Sequence, residues 1–210
     1  MLTRYCTFPL LVALLAACSS PTTDRTTSAP AASDSSDAAP VEPMDTAAAS
    51  VAHATSDTLK AVRKRRLFSS PTAPDLFQLV LRGDSLLSSE ATFSITAADG
   101  TVIFREALSS ADLEAAMVYE MKKPGATKAE REAYIRRRMD EFFADKNFRT
   151  PAIGPQESYQ PGTVDRAVWD DLRRRTGVVA FQYLVGKEDG RRIAWSPLRK
   201  QVVRYGSFGG

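Results

Sequence analysis

Between Ser19 and Thr58 the chain contains no Leu, Ile, Phe, Tyr or Trp; it is built from Ser, Thr, Ala, Pro and Asp. Such a stretch cannot bury enough apolar surface to offset the entropy of ordering its backbone. Any hydrophobic core must therefore be made by the residues that follow. The remainder is the size of one domain. The sequence divides into a leader at 1–17, a disordered tether at 18–73 and a single globular unit at 74–206, expected to fold alone.

Of the two cysteines Cys6 lies in the leader and Cys18 is the first residue of the tether, and the one histidine, His53, lies within the tether. The globular unit thus has neither residue type, which excludes Ser-His-Asp and Cys-His catalysis and zinc sites built from those ligands. No phosphate-cradling glycine loop is present, and Gly206 to Gly210 reads as a frayed terminus. No cofactor or metal is expected. Residues 71–210 carry 21 Lys and Arg against 19 Asp and Glu, a net charge of +2. A dedicated nucleic-acid binder is usually far more basic.

Ahead of the tether, Arg4 precedes an apolar run from Phe8 to Ala17 that is too short to span a bilayer, which needs ~20 apolar residues. The run suits the apolar region of a signal peptide. It ends in Leu15-Ala16-Ala17-Cys18, which resembles the lipobox of bacterial lipoproteins. That resemblance covers only the first 20 or so residues. It implies removal of the leader, a diacylglycerol thioether on Cys18 with a further acyl chain, and a mature protein held to a membrane of the cell envelope. Two or more acyl chains give stable anchoring where one does not. Ser19 in place of Asp favours the outer membrane.

Two other features of the tether bear on partners. Asp45-Thr46-Ala47, Asp57-Thr58-Leu59 and, in the globular unit, Asp84-Ser85-Leu86 resemble the Asp-Ser/Thr-apolar acceptor sites of exported bacterial O-glycoproteins, which implies glycans on the tether at Thr46 and Thr58. Further on, Lys60, Arg63, Lys64, Arg65 and Arg66 place five cations in seven residues. This cluster reads as a solvated domain boundary, a contact for acidic headgroups or acidic glycans, or a site of proteolytic release. Leu67-Phe68 after it suggests a short helix docked on the domain's edge.

Within the globular unit, Phe77 to Arg82 is apolar and branched and stops at Gly83-Asp84. Ala91 to Ala97 alternates, with Phe93 and Ile95 on one face, and Asp99-Gly100 joins it to Thr101–Arg105, a strong hairpin signal. Ser109 to Asp112 opens a first helix carrying Leu113, Met117 and Met121 at helical spacing. Thr127-Lys128-Ala129-Glu130 has the form of a capping box. The helix it starts buries Tyr134, Ile135, Met139, Phe142 and Phe143. After a proline-containing loop from Pro151 to Gly162, Thr163 to Arg175 returns to helix. Val178–Val185, Arg192–Ser196 and Lys200–Tyr205 are strands, with Glu188-Asp189-Gly190 as a turn. Strands, then helices, then strands indicate an α+β fold: an antiparallel meander, two or three helices and a second antiparallel meander.

The function that follows is a membrane-anchored envelope lipoprotein acting as a binding or structural module, with another envelope protein or a glycan as partner and no nucleic acid. The alternative is an envelope enzyme using carboxylate or Tyr/Lys chemistry. Its candidate carboxylates are the adjacent pairs Asp140-Glu141, Asp170-Asp171 and Glu188-Asp189, and Tyr183, Trp195 and Tyr205 could stack on a ligand but read first as core.

Overall fold

The computed structural model describes residues 57–209. Two four-stranded antiparallel sheets and three helices form an α+β unit. The first sheet holds β1 (Thr58–Arg66), β2 (Asp75–Gly83), β3 (Ser89–Thr96) and β4 (Val102–Ser109) in chain order. Next come α1 (Ser110–Glu114), α2 (Lys128–Glu141), the short β5 (Phe148–Arg149) and α3 (Arg166–Arg174). The second sheet is β5, then β6 (Ala180–Val185), β7 (Asp189–Ser196) and β8 (Gln201–Phe208), again in chain order.

Alternation sets the faces of the first sheet. Phe77, Leu79 and Leu81 of β2 stand opposite Ile95, Phe93 and Ala91 of β3, and all six are fully buried. Side chains in strands alternate between faces, so Gln78, Val80, Thr92, Ser94 and Thr96 point the other way and are only half-buried. The turn between β3 and β4 uses Gly100 at φ 90°, a conformation that disfavours a Cβ, and its neighbour Asp99 accepts a 2.9 Å bond from the Thr101 amide.

The main core joins the inner face of this sheet to Phe181, Tyr183, Val185 and Ile193 of the second, with Leu113 of α1 and Ile135 and Met139 of α2. Phe142 and Phe143, directly after α2, complete it. The second sheet is covered on its other face too. There Val168, Trp169 and Leu172 of α3 pack with Ile153 of the preceding loop on Ala180, Ala194, Val203 and Tyr205. The Tyr205 hydroxyl donates to the Ala152 carbonyl at 2.6 Å, and burial pushes its phenol above the usual range. Sheet two is thus sandwiched, whereas sheet one has a single buried face.

Both capping signals form. Ser109 and Asp112 make a capping box at α1, and Thr127 and Glu130 make one at α2. The Glu130 carboxylate accepts from the Thr127 amide at 2.7 Å, and this bond, with Lys123 and the Thr127 hydroxyl, lowers its pKa from 4.5 to about 2. Asp171 is also held low, by Arg175 first and then Arg174. A carboxylate lowered in the folded state contributes stability above its unfolded pKa and loses it as pH falls through the folded one. The thermal midpoint should therefore fall between pH 4.5 and about 2. Glu130→Gln, which caps without charge, should flatten that slope in circular dichroism melts across the window.

Several boundaries differ from the sequence reading. Residues 58–66, assigned above to the tether and suggested as a short helix, form strand β1, paired with β2 from Thr58↔Arg82 to Arg66↔Asp75. The folded unit accordingly starts before 74, and a chain begun near Ser70 would lose β1 and the buried Phe68. Lys is depleted in strands on average, but charged residues are a common means of keeping an edge strand from pairing with other chains. At the other end, Gly206 to Phe208 is not frayed: it continues β8, with Phe208 opposite Gly190. Glu188 to Gly190 is not the turn itself, because Gly186 at φ 68° turns the chain and β7 has begun by Asp189. After Glu114 the first helix tightens to a 3₁₀ turn over Ala115–Tyr119, with no buried side chain.

Candidate binding surface

The basic cluster divides by alternation. Lys60, Lys64 and Arg66 project from β1 toward the side occupied by α2 and the turn after it: Lys60 bonds Asp140 at 2.7 Å, Lys64 bonds Asp145 at 3.1 Å, and Arg66 also pairs with Asp145. The Arg66 guanidinium lies 5.0 Å from the centre of the Phe148 ring. These three cations hold β1 to the domain. Arg63 and Arg65 face the opposite way, onto the open side of sheet one.

Register places other groups beside them. Arg63, Gln78, Ser94 and Arg105 form one row across all four strands. Adjacent strands are ~4.8 Å apart, so the ends of that row lie roughly 14 Å from each other. Arg65 and the exposed Val102 stand at the ends of the row beside it, with the half-buried Leu76 and Thr96 between them, and Thr92 stands on the other side. With the Gln78 amide oxygen turned toward β1, it accepts from Nε and Nη2 of Arg63 at 3.1 Å, laying the guanidinium along the sheet. Among the described residues, neither Arg63, Arg65 nor Arg105 has a carboxylate within ion-pair distance. Arg82 is also on this face, opposite Glu90, and donates to the Thr58 hydroxyl at 3.4 Å.

The carboxylates of the adjacent acidic pairs are engaged. Asp140 holds Lys60, Asp170 holds Arg166, Asp171 holds Arg174 and Arg175, Asp189 holds Arg191, and Glu188 accepts from the Tyr119 hydroxyl. Glu141 faces Lys146 at 4.0 Å. Glu106, on the inner face of β4, bridges the sheets by accepting from the Tyr183 hydroxyl, Arg191 and, at 3.2 Å, Arg204. Burial pushes the Tyr183 phenol above its usual range and lowers the Arg191 guanidinium below its own. Such a group is a clamp between strands rather than an acid or base facing open space.

A cleft of about 440 Å³ opens elsewhere, lined by Leu67, Pro71, Val178, Trp195 and Pro197. Trp195 is half-buried there, while Tyr183 and Tyr205 are core residues. Of the residues singled out in the sequence, Cys18 and Thr46 lie outside the described region. Thr58 is exposed but belongs to β1 and not to the tether. Arg105, Gln78 and Ser94 were not signalled by local sequence, since only the strand register brings them to Arg63. Applying period-2 alternation to residues 60–66 would have separated the inward cations from the outward ones.

Among the described residues no helix is long and apolar enough to cross a membrane. Comparison of the chain with protein-family models, curated proteins and solved structures found no match.

Proposed function

We propose that the chain is a lipid-anchored protein of the bacterial cell envelope whose domain works by binding another envelope component. The observation that carries this reading is the distribution of charge. The domain engages the carboxylates that could have served catalysis in bonds that hold the fold together, and leaves arginines unpaired on one open sheet face. Anchoring is supported by Leu15-Ala16-Ala17-Cys18 and by the polar segment after it, which would let the domain stand off the lipid surface.

The anchor is tested directly. Cys18→Ser should move the protein from the membrane fraction to the soluble fraction and abolish labelling by a palmitate analogue. Continued sedimentation of the variant with membranes would refute Cys18 as the anchor, and absence of label on the unaltered chain would refute lipidation. Turnover of generic ester, peptide, phosphate or glycoside substrates, lost on changing a single carboxylate, would replace the binding module by an enzyme.

A further inference from the structure

We infer that the open face of the first sheet is a binding site for an acidic polysaccharide, with anionic groups seated on Arg63, Arg65 and Arg105 and sugar hydroxyls on Gln78, Thr92, Ser94 and Thr96. The inference rests on the binding-module reading and adds the surface and the ligand class. The three arginines are spaced, not clustered: residues two apart on a strand are separated by ~6.5–7 Å, and Arg63 and Arg105 terminate one four-strand row. Between them lie neutral hydrogen-bonding side chains. The hydroxyls of Thr92, Ser94 and Thr96 run down the central strand β3, half-buried by their neighbours in the sheet. A chain bearing a carboxylate or sulfate at intervals, with hydroxyls between, meets both kinds of group at once.

Two other polyanions fit less well. A nucleic acid carries one charge every 3.4 Å along each strand, far denser than this face, and the domain's net charge of +2 offers little further attraction. A bilayer surface is gripped by clustered cations together with apolar side chains that protrude into the headgroups. Here the apolar residues of the middle strands, Leu76 and Val80, are half-buried between neighbours, and of the large apolar residues in the two arginine rows only Val102, at the edge on β4, is exposed. Arg82 adds no net charge to the face, because Glu90 stands opposite it in the register, although no ion pair joins the two.

The test uses the full chain carrying Cys18→Ser, so that no acyl chain holds it to vesicles. Its affinity is measured for alginate, a polyuronate, for neutral dextran of matched length, and for vesicles of phosphatidylglycerol and phosphatidylcholine. Alginate should bind in low salt and weaken as salt rises, and dextran should not bind. Each exposed ion pair is worth a fraction of a kcal/mol to ~1 kcal/mol, so each single Arg→Gln change should weaken binding about two- to fivefold. Arg63→Gln/Arg65→Gln/Arg105→Gln together should weaken it about tenfold or more. The control Lys122→Gln/Arg173→Gln/Lys200→Gln removes the same charge from exposed positions elsewhere and should leave affinity within about twofold. Circular dichroism melts verify that both triple variants are folded. Equal weakening by the two triples, or equal binding of dextran, overturns the inference. Vesicle binding without alginate binding also overturns it, while leaving the binding-module reading in place. Failure to bind either polyanion overturns the inference and removes the charge argument for that reading.

Discussion

Replacing Phe93 by Ala should destabilise the domain by about 3–5 kcal/mol, the range for truncating a fully buried Phe. Phe93 is completely buried in the middle of β3. Its ring meets Phe77 and Phe104 of the same sheet at 6.2 and 5.2 Å, Phe142 and Phe143 after α2 at 5.5 and 5.6 Å, and Phe181 and Tyr183 of the second sheet at 5.4 and 5.3 Å. Several of these pairs are edge-to-face, a geometry that contributes beyond area alone. One side chain thereby joins three elements, and its loss opens a cavity that neither sheet can close without separating from the other. Domain stabilities are commonly about 5–15 kcal/mol, so the variant should unfold at a much lower urea concentration with an unchanged slope. Phe93→Leu, which retains most of the volume, should cost distinctly less. A loss below about 1 kcal/mol for Phe93→Ala would mean that the two sheets do not share this core.

Glu106→Ala should be the next most damaging change, at about 2–3 kcal/mol. Removing one member of a buried ion pair typically costs about 3–5 kcal/mol, because the remaining charge is left without compensation. The figure is reduced here because the Glu106 and Arg191 side chains retain 14% and 18% of their exposure and Arg204 is 48% exposed. The variant leaves Arg191 with Asp189 alone and Arg204 without a carboxylate partner among the described residues, and takes the acceptor from the Tyr183 hydroxyl. Glu106→Gln should lose less, since an amide can still accept from Tyr183. Urea unfolding at two salt concentrations checks the mechanism. A surface pair would fade at high salt, whereas most of this difference should persist.

Much of the fold was legible because its signals are local. Asp99-Gly100 marks a hairpin, Thr127 and Glu130 mark a helix start, and the alternation of Phe93 and Ile95 marks a core-facing strand; each is complete within a few residues. The misread parts lack that property. β5 has two residues and cannot show a period. In β1 the inward positions are Lys60, Val62, Lys64 and Arg66, so the face that should read as apolar reads as cationic. It is stabilised by Asp140 and Asp145, which lie far along the chain. In the first helix, Met117 and Met121 keep helical spacing, but no core lies beneath them, and the segment tightens to 3₁₀.

The candidate surface was less legible still. Arg63 and Arg65 stood out as members of a charge run, yet so did Lys60, Lys64 and Arg66, and sequence alone treats the five alike. Arg105 belongs to a different strand of the sheet, and nothing near it announces a site. What distinguishes Arg63, Arg65 and Arg105 is the absence of a paired carboxylate among the described residues, which depends on the strand registers and on where α2 comes to lie.

The placement of β1 also sets a line of force. Any tension transmitted through the chain from upstream of Asp57 enters the domain at Thr58, the first residue of an edge strand whose backbone is laddered to β2. Arg63 and Arg65 lie farther along that strand, on the face away from the core. Of a load applied between the upstream chain and a body held on that face, the share borne by Arg63 and Arg65 would pass along one strand and its ladder, outside the aromatic core. With the proposed anchor and binding face, the domain would work as a bracket whose fixing and part of whose hook share one bar.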